Sequence, residues 1–140
     1  DLNPGKENLH VLPGDFHDIQ FADGSVDVVF TNSLDHAFDL DRLLGEIRRV
    51  LKPEGLVIVE AARGSSEGLA PGFYESCWWP RIDDLIAALE THGFMPGHRS
   101  SFDYPWAGVH LTLTRRSDAG ERGETSRIAP RTAHTMELTA

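Results

Sequence analysis

The chain reads as an α/β domain: parallel strands at the centre of one sheet, with an antiparallel strand pair closing it. Three observations predict this. Two short β-branched runs, at 26–30 and 56–60, are apolar on nearly every residue, as strands buried on both faces are. A helical period follows each run, one over 40–51 and one from Pro80 onward. After the second helix two strand-like segments, near 97–103 and 107–114, come in direct succession.

The elements follow in order. An apolar run at 9–12, closed by Pro13 and Gly14, predicts a first strand. Asp23-Gly24-Ser25 is a turn, and the strand at 26–30 follows it. Leu40, Leu43, Leu44, Ile47, Val50 and Leu51 share one face of a helix. Asp39 and Asp41 stand at its start and Arg48, Arg49 and Lys52 at its end, as the helix dipole favours. Pro53 and Gly55 stop it. After the strand at 56–60 comes a long loop, 61–80, rich first in Gly and Ser and then in aromatics. Pro80 opens the second helix, Ile82, Leu85, Ile86 and Leu89 form its stripe, and Gly93 ends it. In the last strand Val109, Leu111 and Leu113 alternate with His110, Thr112 and Thr114. From Arg115 apolar residues thin out and no period survives, which predicts a disordered tail over 115–140 behind one domain, 1–114.

Charge excludes some functions. The net charge of −9 divides into −10 on residues 1–114 (eight Lys and Arg, eighteen acids) and +1 on residues 115–140 (five Arg, four acids). So acidic a body argues against nonspecific binding to nucleic acid or to an anionic membrane. No apolar run approaches the roughly 20 residues of a membrane-spanning helix. The single Cys77 excludes an internal disulfide framework and suits a reducing cytoplasm.

In open α/β sheets ligands bind beyond the carboxyl ends of the strands. Asp15 and Asn32 follow the ends of two proposed parallel strands, and are therefore expected on one edge of the sheet, facing one crevice.

The stretch "GDFHDIQFADGSVDVVFTNSLDHAF", continued by "DRLLGEIRRVLKPEGLVIVEA", resembles the second half of a Rossmann-like, class I S-adenosylmethionine-dependent methyltransferase of the small-molecule type. Glu54 stands where a Gly is usual in that pattern. The resemblance implies an α/β methyltransferase sheet, truncated at its N-terminal side, and S-adenosylmethionine as cofactor. With the first two strands lacking, the strand near 9–14 is expected to be unpaired or rearranged.

Site residues follow from the resemblance one by one. Asp15 matches the acid that binds the adenine amino group, and Phe16 the residue that covers the adenine ring; as a plain residue, Asp15 is a turn or cap. Asn32 and Ser33 match the segment beneath the methionine part of the cofactor, or form an ordinary loop. Asp1 matches the acid that grips the ribose hydroxyls. His36 stands where relatives place a His: either a general base for methyl transfer or a residue packed against helix and cofactor. Asp35 beside it could orient it. Phe73, Tyr74, Trp78 and Trp79 cluster in the loop after Glu60, either as core under the loop or as a wall for the acceptor. Tyr74 and Trp79 are the candidates for acceptor contact, and Glu75 is a second candidate base. His17, His92, His98 and His110 lack metal-ligand spacing and are expected at the surface; no metal is expected.

One departure from the family matters. Its Gly-x-Gly-x-Gly loop after the first strand, where backbone meets the cofactor's carboxypropyl chain, is absent from the 140 residues. The chain is then a fragment or a degenerate relative; the start at Asp1 and the well-formed later motifs favour a fragment. Alone, it is expected to bind the cofactor weakly or not at all. The main expectation is a methyltransferase acting on a small molecule or glycan precursor, at O or N. The rival is a non-catalytic methyltransferase-like module that binds a partner protein. A nicotinamide-dependent oxidoreductase comes third, since its fingerprint loop is absent too.

Overall fold

In the computed structural model of the chain, residues 5, 7, 10–116 and 135–138 are described. The elements are β1 (Val26–Thr31), α1 (Leu40–Val50), β2 (Leu51–Ala62), α2 (Ile82–Thr91), β3 (Phe94–Phe102), β4 (Gly108–Arg115) and β5 (Thr135–Leu138). Single turns of 3-10 helix lie at Leu34–His36 and Ser65–Glu67. The strands form one sheet in the order β3-β4-β2-β1-β5. β1 runs parallel to both β2 and β5, while β2–β4 and β4–β3 are antiparallel.

The βαβ core follows the sequence pattern. Asp39 caps α1, its carboxylate accepting from the Arg42 N–H at 3.0 Å. Leu43, Leu44, Ile47 and Val50 are buried along one face. The helix stops one residue before Leu51, which instead opens β2 opposite Val26. Val28 then pairs with Leu56, so 52–55 bulge out of the ladder and accommodate Pro53, which has no N–H to give it. Gly93 ends α2 with a positive φ of 80°. A Cβ there would also meet the Arg48 guanidinium, which donates to the Gly93 carbonyl at 3.1 Å. Along β4 the expected alternation holds: Val109, Leu111 and Leu113 are buried, while His110, Thr112 and Thr114 are not.

Three expectations need correction. Residues 10–14 join no strand; Leu12 is exposed, Pro13 lacks an N–H, and the nearest pairing is an isolated bridge between Asp15 and Asp18. Residues 135–138, expected within a disordered tail, form β5: Met136 is buried and Leu138 packs on the core, so this short segment covers the edge that β1 would otherwise expose. Residues 117–134, 139 and 140 lie outside the described residues. Trp79, offered as an acceptor contact, is only 5% exposed and belongs to the core. Its Nε1–H donates to the Ala62 carbonyl at the end of β2 at 2.8 Å, and its ring stacks on Trp78 at 5.5 Å.

The polar edge of α1 holds the segment before β1. Asp39, Arg42, Glu46 and Arg49 recur at steps of three or four residues, one line along the helix. The Asp39 N–H donates to His17 Nε2 (3.3 Å) and Arg42 Nε–H to the His17 carbonyl (2.8 Å). Glu46 accepts from the Ile19 N–H at 2.8 Å. Arg49 spends all of its N–H donors: Nε–H and Nη2–H on Glu46, Nη2–H also on the Ile19 carbonyl, and Nη1–H on the Phe21 carbonyl and Asp23.

Three outcomes follow. Arg49→Ala is expected to cost about 2 kcal/mol in urea unfolding, the scale of hydrogen bonds to a charged group. Hydrogen bonding from Arg49, ahead of other causes, lowers the Glu46 pKa. Glu46 therefore contributes stability that is full above the ordinary Glu value of about 4.3 and fades as pH falls through the lowered folded value. Melts of wild type and Glu46→Gln between neutral pH and pH about 3 should converge at the acid end. Trp79→Ala is expected to lose about 3–5 kcal/mol, the range for a buried aromatic; unchanged unfolding would return Trp79 to an acceptor wall.

Candidate functional site

Two clusters hold most of the residues named as site candidates. The first surrounds Asp15. It lies in a cavity of about 600 Å³ whose walls include Leu12, Asp15, Phe16 and Phe21, and Met136 and Leu138 of β5. Leu138 pairs with Thr31, the last residue of β1, so the cavity reaches the carboxyl edge of the sheet. Asp15 Oδ1 accepts from the backbone N–H of His17 and from its Nδ1–H, each at 2.8 Å. Those bonds, the backbone one first, lower the Asp15 pKa, so the carboxylate is ionised at neutral pH. Its side chain remains about half exposed, at 51%. The turn reading of Asp15 is thus visible, and it leaves an exposed face of the carboxylate for a ligand amine. Phe16 packs partly on the core, with its ring 4.7 Å from the His17 ring.

His17 is the residue that sequence reasoning missed. Expected at the surface, it is 8% exposed. Because Nε2 accepts from the Asp39 N–H, the ring proton sits on Nδ1 and goes to Asp15. One imidazole thus ties the capping residue of α1 to the candidate adenine ligand. The available signal was the Asp15-x-His17 spacing of a side chain-to-backbone turn. His92 and His110 are also half-buried, held by Ala88 and Asp41 and by Glu60 respectively. His98 is exposed as expected.

The second cluster follows β1. Ser33 is buried and its Oγ–H donates to Asn32 Oδ1 at 3.0 Å, which fixes the amide just past the strand end. Asp35 and His36 share the 3-10 turn that comes next, with His36 Nε2 4.0 Å from Asp35 Oδ1. The Asp35 carbonyl accepts from the N–H groups of both Ser76 and Cys77 at 2.8 Å. That pair of hydrogen bonds docks the aromatic loop on the turn and brings Glu75 to Asp35 and His36. Burial, ahead of every other cause, raises the Asp35 pKa. Burial likewise raises that of the Cys77 thiol. Among the described residues, Glu75 Oε2 is a buried oxygen with no hydrogen-bond partner. Tyr74 stands 78% exposed beside this cluster in sequence, and Trp79 lies in the core. Glu67 fixes the front of the loop, accepting from the Gly64 and Ile82 N–H groups at 2.9 Å each. Asp1 lies outside the described residues. No helix among the described residues is long and apolar enough to cross a membrane.

Known proteins resemble this chain in sequence and in fold. Residues 2–59 match the family model described as a methyltransferase domain. Over 55 residues the chain is 40% identical to the malonyl-[acyl-carrier protein] O-methyltransferase of Methylovorus sp. (strain MP688), a match spanning 39% of this chain and 19% of that protein. Among solved structures, a Burkholderia thailandensis 1,6-didemethyltoxoflavin-N1-methyltransferase, with bound 1,6-didemethyltoxoflavin and S-adenosylhomocysteine, superposes with a TM-score of 0.62 at 14% identity, over 76% of this chain and 50% of that one. The [4+2]-cyclase SpnF superposes with a TM-score of 0.60 at 16% identity, over 76% and 57%. The chain thus spans about a fifth of the curated relative and about half of these solved proteins. The order of elements and the sheet are those of Rossmann-like methyltransferase structures, and residues 2–59 carry the match to the methyltransferase domain.

Proposed function

We propose that this chain is the part of a methyltransferase that receives the adenine end of S-adenosylmethionine and faces a small-molecule acceptor. The observation that carries the reading is the cavity at Asp15 and Phe16, inside the segment matched to the methyltransferase domain. An ionised carboxylate suits an exocyclic amine, and an aromatic ring suits the face of a purine. His17 and the polar edge of α1 orient that carboxylate. In this reading the Gly-rich loop comes from a segment beyond these residues, the protein works in a reducing cytoplasm, and Asn32 and Ser33 underlie the methionine part of the cofactor. His36 and Tyr74 are the groups proposed for the acceptor side.

Methyl transfer moves one carbon from the sulfonium to the acceptor atom. Bound at this site, S-adenosylmethionine would supply the methyl group, its sulfur keeping the electron pair of the broken C–S bond, with Asp15 and Phe16 holding the adenine end and His36 placed to take the acceptor's proton. Alignment of acceptor, methyl and sulfur supplies much of the acceleration. A fold shared with a protein named as a cyclase does not by itself fix the reaction, so the site must be tested.

In a protein that joins this chain to a Gly-rich cofactor loop, Asp15→Ala should weaken S-adenosylhomocysteine binding by about 1–3 kcal/mol in calorimetry. Unchanged affinity would leave Asp15 as a turn residue only. In the same protein His36→Asn should lower turnover about 100-fold with cofactor affinity intact. A joint loss of melting temperature and cofactor affinity, with turnover at saturation preserved, would assign His36 to packing.

A further inference from the structure

Asp35, His36 and Glu75 each offer one ligand atom, and the three atoms lie within 4.8 Å of one another. The sequence hides this group, because Glu75 is forty residues away and arrives only through the Ser76 and Cys77 bonds to the Asp35 carbonyl. Two features point to an absent positive partner. Glu75 Oε2 is buried without a hydrogen bond, a costly state for a carboxylate oxygen. The Asp35 carboxyl, only 18% exposed, lies in the same small group, and two neighbouring carboxylates call for a proton or a cation between them. Gly72 reinforces the arrangement: a Cβ there would stand 2.8 Å from Glu75 Oε2, so glycine leaves the carboxylate its place.

We propose that Asp35, His36 and Glu75 form a binding site for a first-row divalent cation of the Mn²⁺ or Zn²⁺ class. Two carboxylates with an imidazole suit these ions, whereas Mg²⁺ and Ca²⁺ favour all-oxygen sets. Ligand atoms at about 2.1 Å from one ion stand at most about 4 Å apart, so the group needs to close by less than about 1 Å. Three protein ligands leave coordination positions for water or for an oxygen of the acceptor. Only that last consequence rests on the methyltransferase reading; cation binding itself does not.

The test uses the 140-residue chain, stripped with a chelator and titrated with Mn²⁺, Zn²⁺ and Mg²⁺ by calorimetry, with Mn²⁺ followed by electron paramagnetic resonance. Stoichiometric binding of Mn²⁺ and Zn²⁺, tighter than Mg²⁺, is expected. Glu75→Gln and His36→Asn should each weaken it by more than about tenfold, the scale on which even supporting groups around a metal act. His98→Asn, at an exposed site, should not change it. Gly72→Ala displaces the Glu75 carboxylate without removing it and should weaken binding as well, which keeps the test open should Glu75→Gln fail to fold. Absence of binding, or binding that survives both Glu75→Gln and Gly72→Ala, overturns the proposal. Neither cofactor nor acceptor is present, so a failure here leaves the methyltransferase reading untouched, and a failure of methyl transfer leaves this one standing.

Discussion

The structure depends on α1 working on two sides at once. Its apolar face, Leu43 to Val50, joins the core under β1 and β2. Its polar edge, Asp39 to Arg49, supplies the partners for a segment that forms no strand of its own. Without those bonds the carbonyls of His17 and Phe21 would have only water to turn to, and Asp15 and Phe16 would be held beside the sheet mainly by the packing of Phe16 and Ile19 on the core. Arg49 can do this because its planar fork meets a carboxylate with two N–H groups and still reaches two carbonyls. A lysine would offer a single charge point and could not repeat that geometry.

The carboxyl edge of the sheet divides into two neighbourhoods with different electrostatics. Around Asp15 the carboxylate is hydrogen-bonded, half exposed and ionised. Around Asp35 the carboxyl is half-buried and its pKa pushed upward, and a second acid next to it holds an oxygen without a donor. One is settled and open to a neutral, hydrogen-bonding ligand; the other is short of positive charge. The Ser33–Asn32 bond stands between them in the chain, fixing the end of β1 from which both are reached.

The loop over 63–81 is shaped by fixed points rather than by a packed element of its own. Glu67 ties its front to the start of α2, Trp79 anchors it to the end of β2, and Ser76 and Cys77 pin its middle to Asp35. Between these points Phe73 and Tyr74 are left in solvent, at 93% and 78% exposure. Of the four loop aromatics, the two nearest α2 serve the fold and its hydrogen bonds, while the two at the tip are the ones a ligand can reach.

The sequence by itself determined what is local and periodic. The α1 stripe with an acid at its start, the Gly93 stop, the alternation along β4 and the parallel strands around 26–30 and 56–60 are written in spacing and in backbone chemistry that act over a few residues, whereas the start of β2 at Leu51 is not. The family pattern in residues 14–62 was equally legible, because it consists of consecutive turns and strand ends. Tertiary structure alone decided the rest. The segment before Asp15 was expected to lack a partner, but that it forms no strand at all was not, and β5, too short to show a period, took the edge of β1. His17 was buried by a helix that starts more than twenty residues later, and Trp79 by the end of β2. Glu75 met Asp35 and His36 through backbone bonds from its neighbours, not through its own type. Propensity and period report what a segment can form; which groups meet across the fold is set by long-range packing and hydrogen bonding, and no short stretch of sequence encodes it.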